Sequence, residues 1–181
     1  MSTATLSYNG NEYEFPVITG SEGEAGIDIS QLRNKTGLIG FDPGYGNTGA
    51  CKSAITFIDG ETGILRYRGY PIEQLAQKAS FVEVCYLLIY GDLPTKAEMQ
   101  NFEKLLIYHT LLHEDMKKFF EGYPASSHPM AIMAAMLISL STFYPENHDE
   151  ETTNLNIVRL IAKAKTIAAF SYKKSIGQPY I

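Results

Sequence analysis

The chain has no tryptophan, and its only cysteines, Cys51 and Cys85, are too few and too loosely spaced for a disulfide framework or a cysteine-rich zinc site. An excess of positive charge is also missing. Fifteen Lys and Arg against twenty Asp and Glu leave a net charge of −5, which argues against a generic nucleic-acid binder, because tracking phosphates needs concentrated cations. Long hydrophobic runs are absent too: the most apolar stretch, Met130–Leu140, falls far short of the ~20 residues that cross a bilayer. The first ten residues have neither a basic start nor an apolar core, so no signal peptide is expected. No nucleophile elbow, P-loop or kinase motif occurs, and no repeat or low-complexity tract stands out. These absences predict a soluble, cytoplasmic protein without a membrane or nucleic-acid partner.

What is present is ordinary globular composition, 45% apolar and 19% charged. A chain of 181 residues suits one domain and buries roughly 70% of its unfolded surface. The first part reads as strand and loop. Leu6–Tyr8 and Glu12–Phe15 flank Asn9-Gly10-Asn11, and Ala54–Ile58 and Ile64–Tyr67 flank Asp59-Gly-Glu-Thr-Gly63. Both connections tolerate the positive φ that a tight reversal needs, so two hairpins are predicted. Gly44-x-Gly46-x-x-Gly49 has the letters of a dinucleotide fingerprint, but no apolar strand leads into it and Asp42-Pro43 precedes it. An irregular loop is the better reading, with one short helix near Ile29–Arg33.

From Pro71 the pattern turns helical, with Pro71 suited to a first helical position. Ser80-x-x-Glu83 and Thr95-x-x-Glu98 have the form of capping boxes, predicting one helix that ends near Gly91 and another that runs to about Leu111. Further helices are predicted over Glu114–Phe120, from Ser127-His-Pro129 to about Thr142, and over Thr153–Lys173, closed by Gly177 and Pro179. The division expected is residues 1–70, rich in hairpin and loop, followed by a helical part over residues 71–181. Val82–Tyr90 and Met130–Leu140 lack a clear polar face and must be enclosed. For the first, a central core helix and an interface are equally good readings. For the second, small Ala131, Ala134 and Ala135 favour an interface between subunits.

The residues that could do chemistry are sparse. His109 and His113 stand four apart on a predicted helix beside Glu114, a spacing that can bring two imidazoles to one metal ion. The order is not His-Glu-x-x-His and no third ligand is evident, so no metal site is assigned. His128 suits a capping role and His148 a solvated loop. Arg159 and Lys163 share a helix face, with Lys165, Lys173 and Lys174 nearby. Such a pair could hold a phosphate or diphosphate, although an exposed cationic face is the commoner arrangement.

The literal wording of Ile55-Thr-Phe-Ile-Asp-Gly-Glu-Thr-Gly-Ile-Leu-Arg-Tyr-Arg-Gly-Tyr-Pro-Ile-Glu-Gln-Leu-Ala76 closely resembles the N-terminal signature of citrate synthases. Phe41–Gly44, Glu83–Leu88, His109-Thr110, Ser127–Met130 and Ser175–Pro179 follow in family order. The chain is most similar to the bacterial type that is often hexameric and inhibited by NADH. The resemblance implies a mainly α fold, the helices of the family's large domain with a small β-rich N-terminal region. It implies that the complete enzyme, an acyltransferase of the tricarboxylic acid cycle, condenses acetyl-CoA with oxaloacetate to give citrate and CoA. It needs no cofactor, acetyl-CoA being a substrate and NADH an allosteric inhibitor. A homo-oligomer, dimer or hexamer, is implied as well.

The family's catalytic His and Asp and its substrate arginines come later in its sequence. No catalytic residue is therefore assigned here, and the chain alone is expected to be inactive. For an allosteric nucleotide site the resemblance points to His109, Thr110, Tyr144, Arg159, Lys163 and Gln178. Tyr108 departs from the related pattern, which can carry an arginine there. The rival readings are a 2-methylcitrate synthase acting on propionyl-CoA, a non-catalytic helical interaction module, and a metal-dependent hydrolase built on His109, His113 and Glu114.

Overall fold

In the computed structural model, which describes residues 2–180, both predicted hairpins form and seven helices follow or flank them. The chain divides into two compact units between Phe57 and Ile58. In the first, strand β1 (Thr3–Tyr8) pairs antiparallel with β2 (Asn11–Thr19), and β2 with β3 (Ala25–Ile27). Asn9 at φ 51° and Gly10 at φ 77° make the two-residue reversal that the Asn-Gly pair predicts. Phe15 is the buried side chain of this sheet, and the Lys35 ammonium stands 5.2 Å from its ring centre. Lys35 belongs to α1 (Leu32–Thr36), which starts three residues later than the sequence suggests. The preceding turn accounts for the shift, since the Asp28 carboxylate accepts from the Ser30 amide and holds that stretch outside the helix. The glycine-rich stretch that follows is a loop closed by Asp42, whose carboxylate accepts from the Asn47 amide at 2.8 Å and the Thr48 hydroxyl at 2.7 Å.

A second sheet, in chain order, is made by β4 (Thr56–Asp59), which spans the division between Phe57 and Ile58, β5 (Ile64–Tyr67) and β6 (Tyr70–Pro71). Asp59 fixes the first turn by accepting from the amides of Glu61 and Thr62 and from the Thr62 hydroxyl. A further reversal, at Arg68 (φ 50°) and Gly69 (φ 88°), returns the chain to Tyr70. The sheet leads into α2 (Ile72–Lys78). Pro71 is its N-cap rather than its first helical residue, because pairing with Arg66 keeps its ψ extended at 138°.

The two capping boxes form as predicted. Ser80 and Glu83 start α3 (Phe81–Tyr90), and Gly91 at φ 102° ends it. Thr95 and Glu98 start α4 (Lys96–Tyr108), which stops three residues short of Leu111. Next come α5 (Glu114–Gly122) and α6 (Pro129–Phe143). The N-caps of both are histidines, with His113 Nδ1 accepting from the Asp115 amide and His128 Nδ1 from the Met130 amide. The last helix, α7 (Glu150–Ser175), begins three residues before the predicted start because Asp149 caps it through the Thr152 amide.

Helix α7 is the spine of the second unit and serves two cores. Its N-terminal half packs Val158 and Ala162 against Phe102 and Leu106 of α4. Its C-terminal half places Ile167 in a cluster with Met116 and Phe120 of α5 and Ile132, Met136 and Leu140 of α6. Helix α6 buries only the face bearing those last three residues, and Met130 and Ile138 on its other face are 61% and 75% exposed. Helix α3 buries Leu87 alone and leaves Phe81 77% exposed. Within this chain neither apolar helix is wrapped on all sides.

Candidate functional site

The stretch His109–Leu111 joins α4 to α5 and lies where the two cores of α7 meet. Helix α4 ends there with its last carbonyls turned outward, as any helix does, and its last turn holds no basic residue to balance them. Helix α7 supplies the missing partners. Lys163 Nζ donates to the His109 carbonyl at 3.0 Å and also to the Leu111 carbonyl, and Thr166 Oγ1 donates to the Thr110 carbonyl at 3.0 Å. Three consecutive carbonyls are thus held by two residues one turn apart on α7. This explains why the helix predicted to reach Leu111 ends at Tyr108: across the neighbouring helix these carbonyls find donors that another turn of α4 would have had to replace.

Tyr144, the C-cap of α6, completes the cluster. Its ring centre lies 4.7 Å from the Arg159 guanidinium carbon and 5.1 Å from Lys163 Nζ, so two cations share one aromatic ring. Arg159 Nη1 donates to Asn156 Oδ1 at 2.9 Å, while its Nε is buried without a hydrogen-bond partner. The His109 imidazole meets the Tyr108 ring edge-on at 5.1 Å. Burial holds its pKa below the ordinary histidine value, and the nearby charges of Arg159 and then Lys163 lower it further. The balance of charge here is positive and the walls are partly apolar, an environment that favours an anion carrying a flat ring.

Five of the six residues that the resemblance points to, His109, Thr110, Tyr144, Arg159 and Lys163, therefore lie together. Gln178 follows the end of α7, where its amide donates to the Lys173 carbonyl at 2.9 Å. Lys163 is only 3% exposed and Arg159 is half-buried, so the two cations that share a helix face differ in what they can reach. Thr166 and Asn156 were not singled out in the sequence. The legible signal for Thr166 was its position three residues after Lys163.

A groove of about 620 Å³ opens beside the cluster, between Thr110, Glu114 and Lys117 on one side and Lys165, Thr166, Phe170 and Tyr180 on the other. Phe170 and Tyr180, both in its lining, stack with ring centres 5.0 Å apart. A second, more apolar groove of about 430 Å³ runs between Phe81, Val82, Cys85, Leu106 and Leu160. The helix that would have carried His109 and His113 four apart does not exist, because the first ends α4 and the second caps α5. Among the described residues no group of three His, Cys, Asp or Glu side chains could hold a metal ion. No described helix is long and apolar enough to cross a membrane.

Comparison with known proteins points to one family. The family model described as "Citrate synthase, C-terminal domain" matches residues 44–181. Citrate synthase 1 of Mycobacterium tuberculosis is 49% identical over 182 aligned residues, covering 99% of this chain and 42% of that protein. The crystal structure of citrate synthase from Pyrobaculum aerophilum superposes with a TM-score of 0.65 at 25% identity, covering 99% of this chain and 42% of that one. The Thermoplasma acidophilum citrate synthase, solved in ternary complex with carboxymethyl coenzyme A and oxaloacetate, shares the fold with a TM-score of 0.68 at 24% identity, covering 74% of this chain and 35% of that one. The chain spans about 42% of the length of the curated relatives it matches. By its helices, its hairpins and these matches, the chain belongs to the citrate synthase family.

Proposed function

We propose that this chain forms the N-terminal part of an enzyme that condenses acetyl-CoA with oxaloacetate to give citrate and free CoA. The supporting observation is 49% identity to a citrate synthase along 99% of the chain. Coenzyme A analogue and oxaloacetate bound together in the Thermoplasma relative fit the same substrates. In this chemistry an Asp and a His form the enol of the acetyl group, a second His assists at the oxaloacetate carbonyl, and arginines hold the carboxylates. Water then cleaves the citryl thioester. The residues of this chain take the part of scaffold, and none of them is assigned to the chemical steps.

The test compares the 181-residue chain with the full-length protein, following CoA release from acetyl-CoA and from propionyl-CoA in the presence of oxaloacetate. Turnover by the full-length protein with acetyl-CoA preferred, and none by the chain alone, is expected. A preference for propionyl-CoA would mean a 2-methylcitrate synthase, and no turnover with either would favour a non-catalytic helical module. The working enzyme is cytoplasmic and a homo-oligomer, dimer or hexamer. The uncovered apolar face of α6 around Met130 and Ile138 supports self-association.

The cluster of His109, Thr110, Tyr144, Arg159 and Lys163, extended by Gln178, is the site at which NADH inhibits. Its positive charge beside an aromatic face suits a diphosphate joined to flat rings. In the full-length protein, Arg159→Leu and Lys163→Ala should each abolish NADH inhibition while leaving uninhibited turnover in place. Unchanged inhibition in both would overturn the assignment.

A further inference from the structure

Helices α5 and α6 both begin on a histidine, and the two starts differ in how they take up a proton. At α6 the first turn hangs on His128. Pro129 brings no N–H, so the Met130 amide is the first donor, and it goes to His128 Nδ1 at 3.2 Å. The next two amides, of Ala131 and Ile132, go to the His128 carbonyl at 3.0 and 3.4 Å. The ring nitrogen accepts only while it carries no proton. Protonation turns it into a donor facing the Met130 N–H and sets a cation at the positive end of the helix dipole. The first turn of α6 holds no acidic residue, and among the described residues no ion pair includes His128. The ends of α5 and α7 that adjoin this connection carry Glu121 and Lys173 with Lys174, and Lys174 Nζ donates to the Glu121 carbonyl at 3.3 Å. Two lysines there add to the cost of a further cation.

At α5 the same kind of cap has a second partner. His113 Nδ1 accepts from the Asp115 amide at 3.1 Å and lies 3.5 Å from Asp115 Oδ2. A protonated ring can donate to that carboxylate instead, and Glu114 and Asp115 together balance the dipole. These two acids also pair with Lys117 and Lys118, at 2.8 and 2.7 Å, and α6 faces the His113 ring with Phe143, centres 5.1 Å apart. We propose that His128 is an acid-sensitive latch: neutral, it holds the first turn of α6, and protonated it releases that turn, while the His113 cap of α5 stays closed. His128 is exposed, so its proton comes directly from solvent. Met130, whose amide the latch holds, is 61% exposed on the apolar face of α6, so release also weakens assembly. That consequence alone rests on the self-association through α6 proposed above.

The test uses the full-length protein at pH 7.5 and 5.5, which bracket the range where imidazoles titrate. The variants are His128→Asn and His128→Ser, whose side chains cap without titrating there, and His113→Asn. Hydrogen exchange, corrected for its intrinsic pH dependence, is followed by mass spectrometry. In the wild type, acid should speed exchange several-fold over Met130–Ile132 and leave Asp115 and Met116 close to unchanged. Either His128 variant should remove the response at α6, and His113→Asn should leave it intact. Melting temperature should fall less between the two pH values in the His128 variants than in the wild type. The sedimentation-derived mass should drop in acid for the wild type and hold for His128→Asn. No acid response at α6 in the wild type, or one that persists in both His128 variants, would overturn the latch. An equal response at α5 would overturn the distinction between the two caps. A wild-type mass unaffected by acid, with the exchange response present, would overturn only the link to assembly. A wild type monomeric at both pH values would overturn self-association itself, and exchange would still decide the latch.

Discussion

At the scale of single residues, environment separates groups that are chemically alike. Burial raises the Cys85 thiol pKa above its ordinary value, while Cys51 is exposed. Because the thiolate is the reacting form, iodoacetamide at pH 8 should label Cys51 well before Cys85, as mass spectrometry of tryptic peptides would show. His109 gives a second case. Its folded-state pKa lies below the unfolded value of about 6.5, first through burial and then through Arg159 and Lys163. The folded state therefore favours the neutral ring, and the unfolded chain takes up the proton first as pH falls. The stabilisation from this group is fully present above about pH 6.5 and is lost as pH drops through that value toward the lower folded pKa. Melting temperatures from pH 7.5 to 5.5 should fall less steeply for His109→Asn than for wild type. Equal slopes would show that other groups dominate the acid limb.

At the scale of elements, the polar ends of helices proved the most legible part of the sequence. Ser80 with Glu83 and Thr95 with Glu98 form reciprocal caps because each box uses only backbone and side chains within four residues. Helix ends fixed by distant partners were less readable. Nothing near Tyr108 announces a stop, since the donors that hold the following carbonyls come from Lys163 and Thr166, more than fifty residues away. The Gly91 terminus is a local signal with a measurable cost. At φ 102° a side chain is strained even though no neighbouring atom lies within 4 Å of the added carbon, so Gly91→Ala should cost about 1–2 kcal/mol without any clash. Chemical denaturation would read this directly. In the core, Met136 is fully buried between α6 and α7, and Met136→Ala should cost roughly 2–5 kcal/mol.

At the scale of the whole molecule, the exposed face of α6 is the feature that the chain does not resolve within itself. Ile138 is 75% exposed while Leu140, two residues on, is 7% exposed. A charge at the first position should leave the protomer's own folding within about 0.5 kcal/mol. Ile138→Asp is accordingly expected to lower the sedimentation-derived mass of the full-length protein while preserving its helical content. An unchanged mass would remove α6 from the subunit interface.

The family, both expected hairpins, the helix caps and the apolar character of α6 were legible in the residues alone, because each is written in neighbouring residues or in a pattern that repeats along one element. The sequence also put His109, Thr110, Tyr144, Arg159 and Lys163 forward as a group, through resemblance and not through spacing. Packing alone settled that α7 completes the end of α4, and that Lys163 is buried against two carbonyls while Arg159 is half-buried beside Asn156. The reason is physical: a carbonyl at a helix end takes whichever donor the packing brings to it, and that donor's place in the chain leaves no local trace.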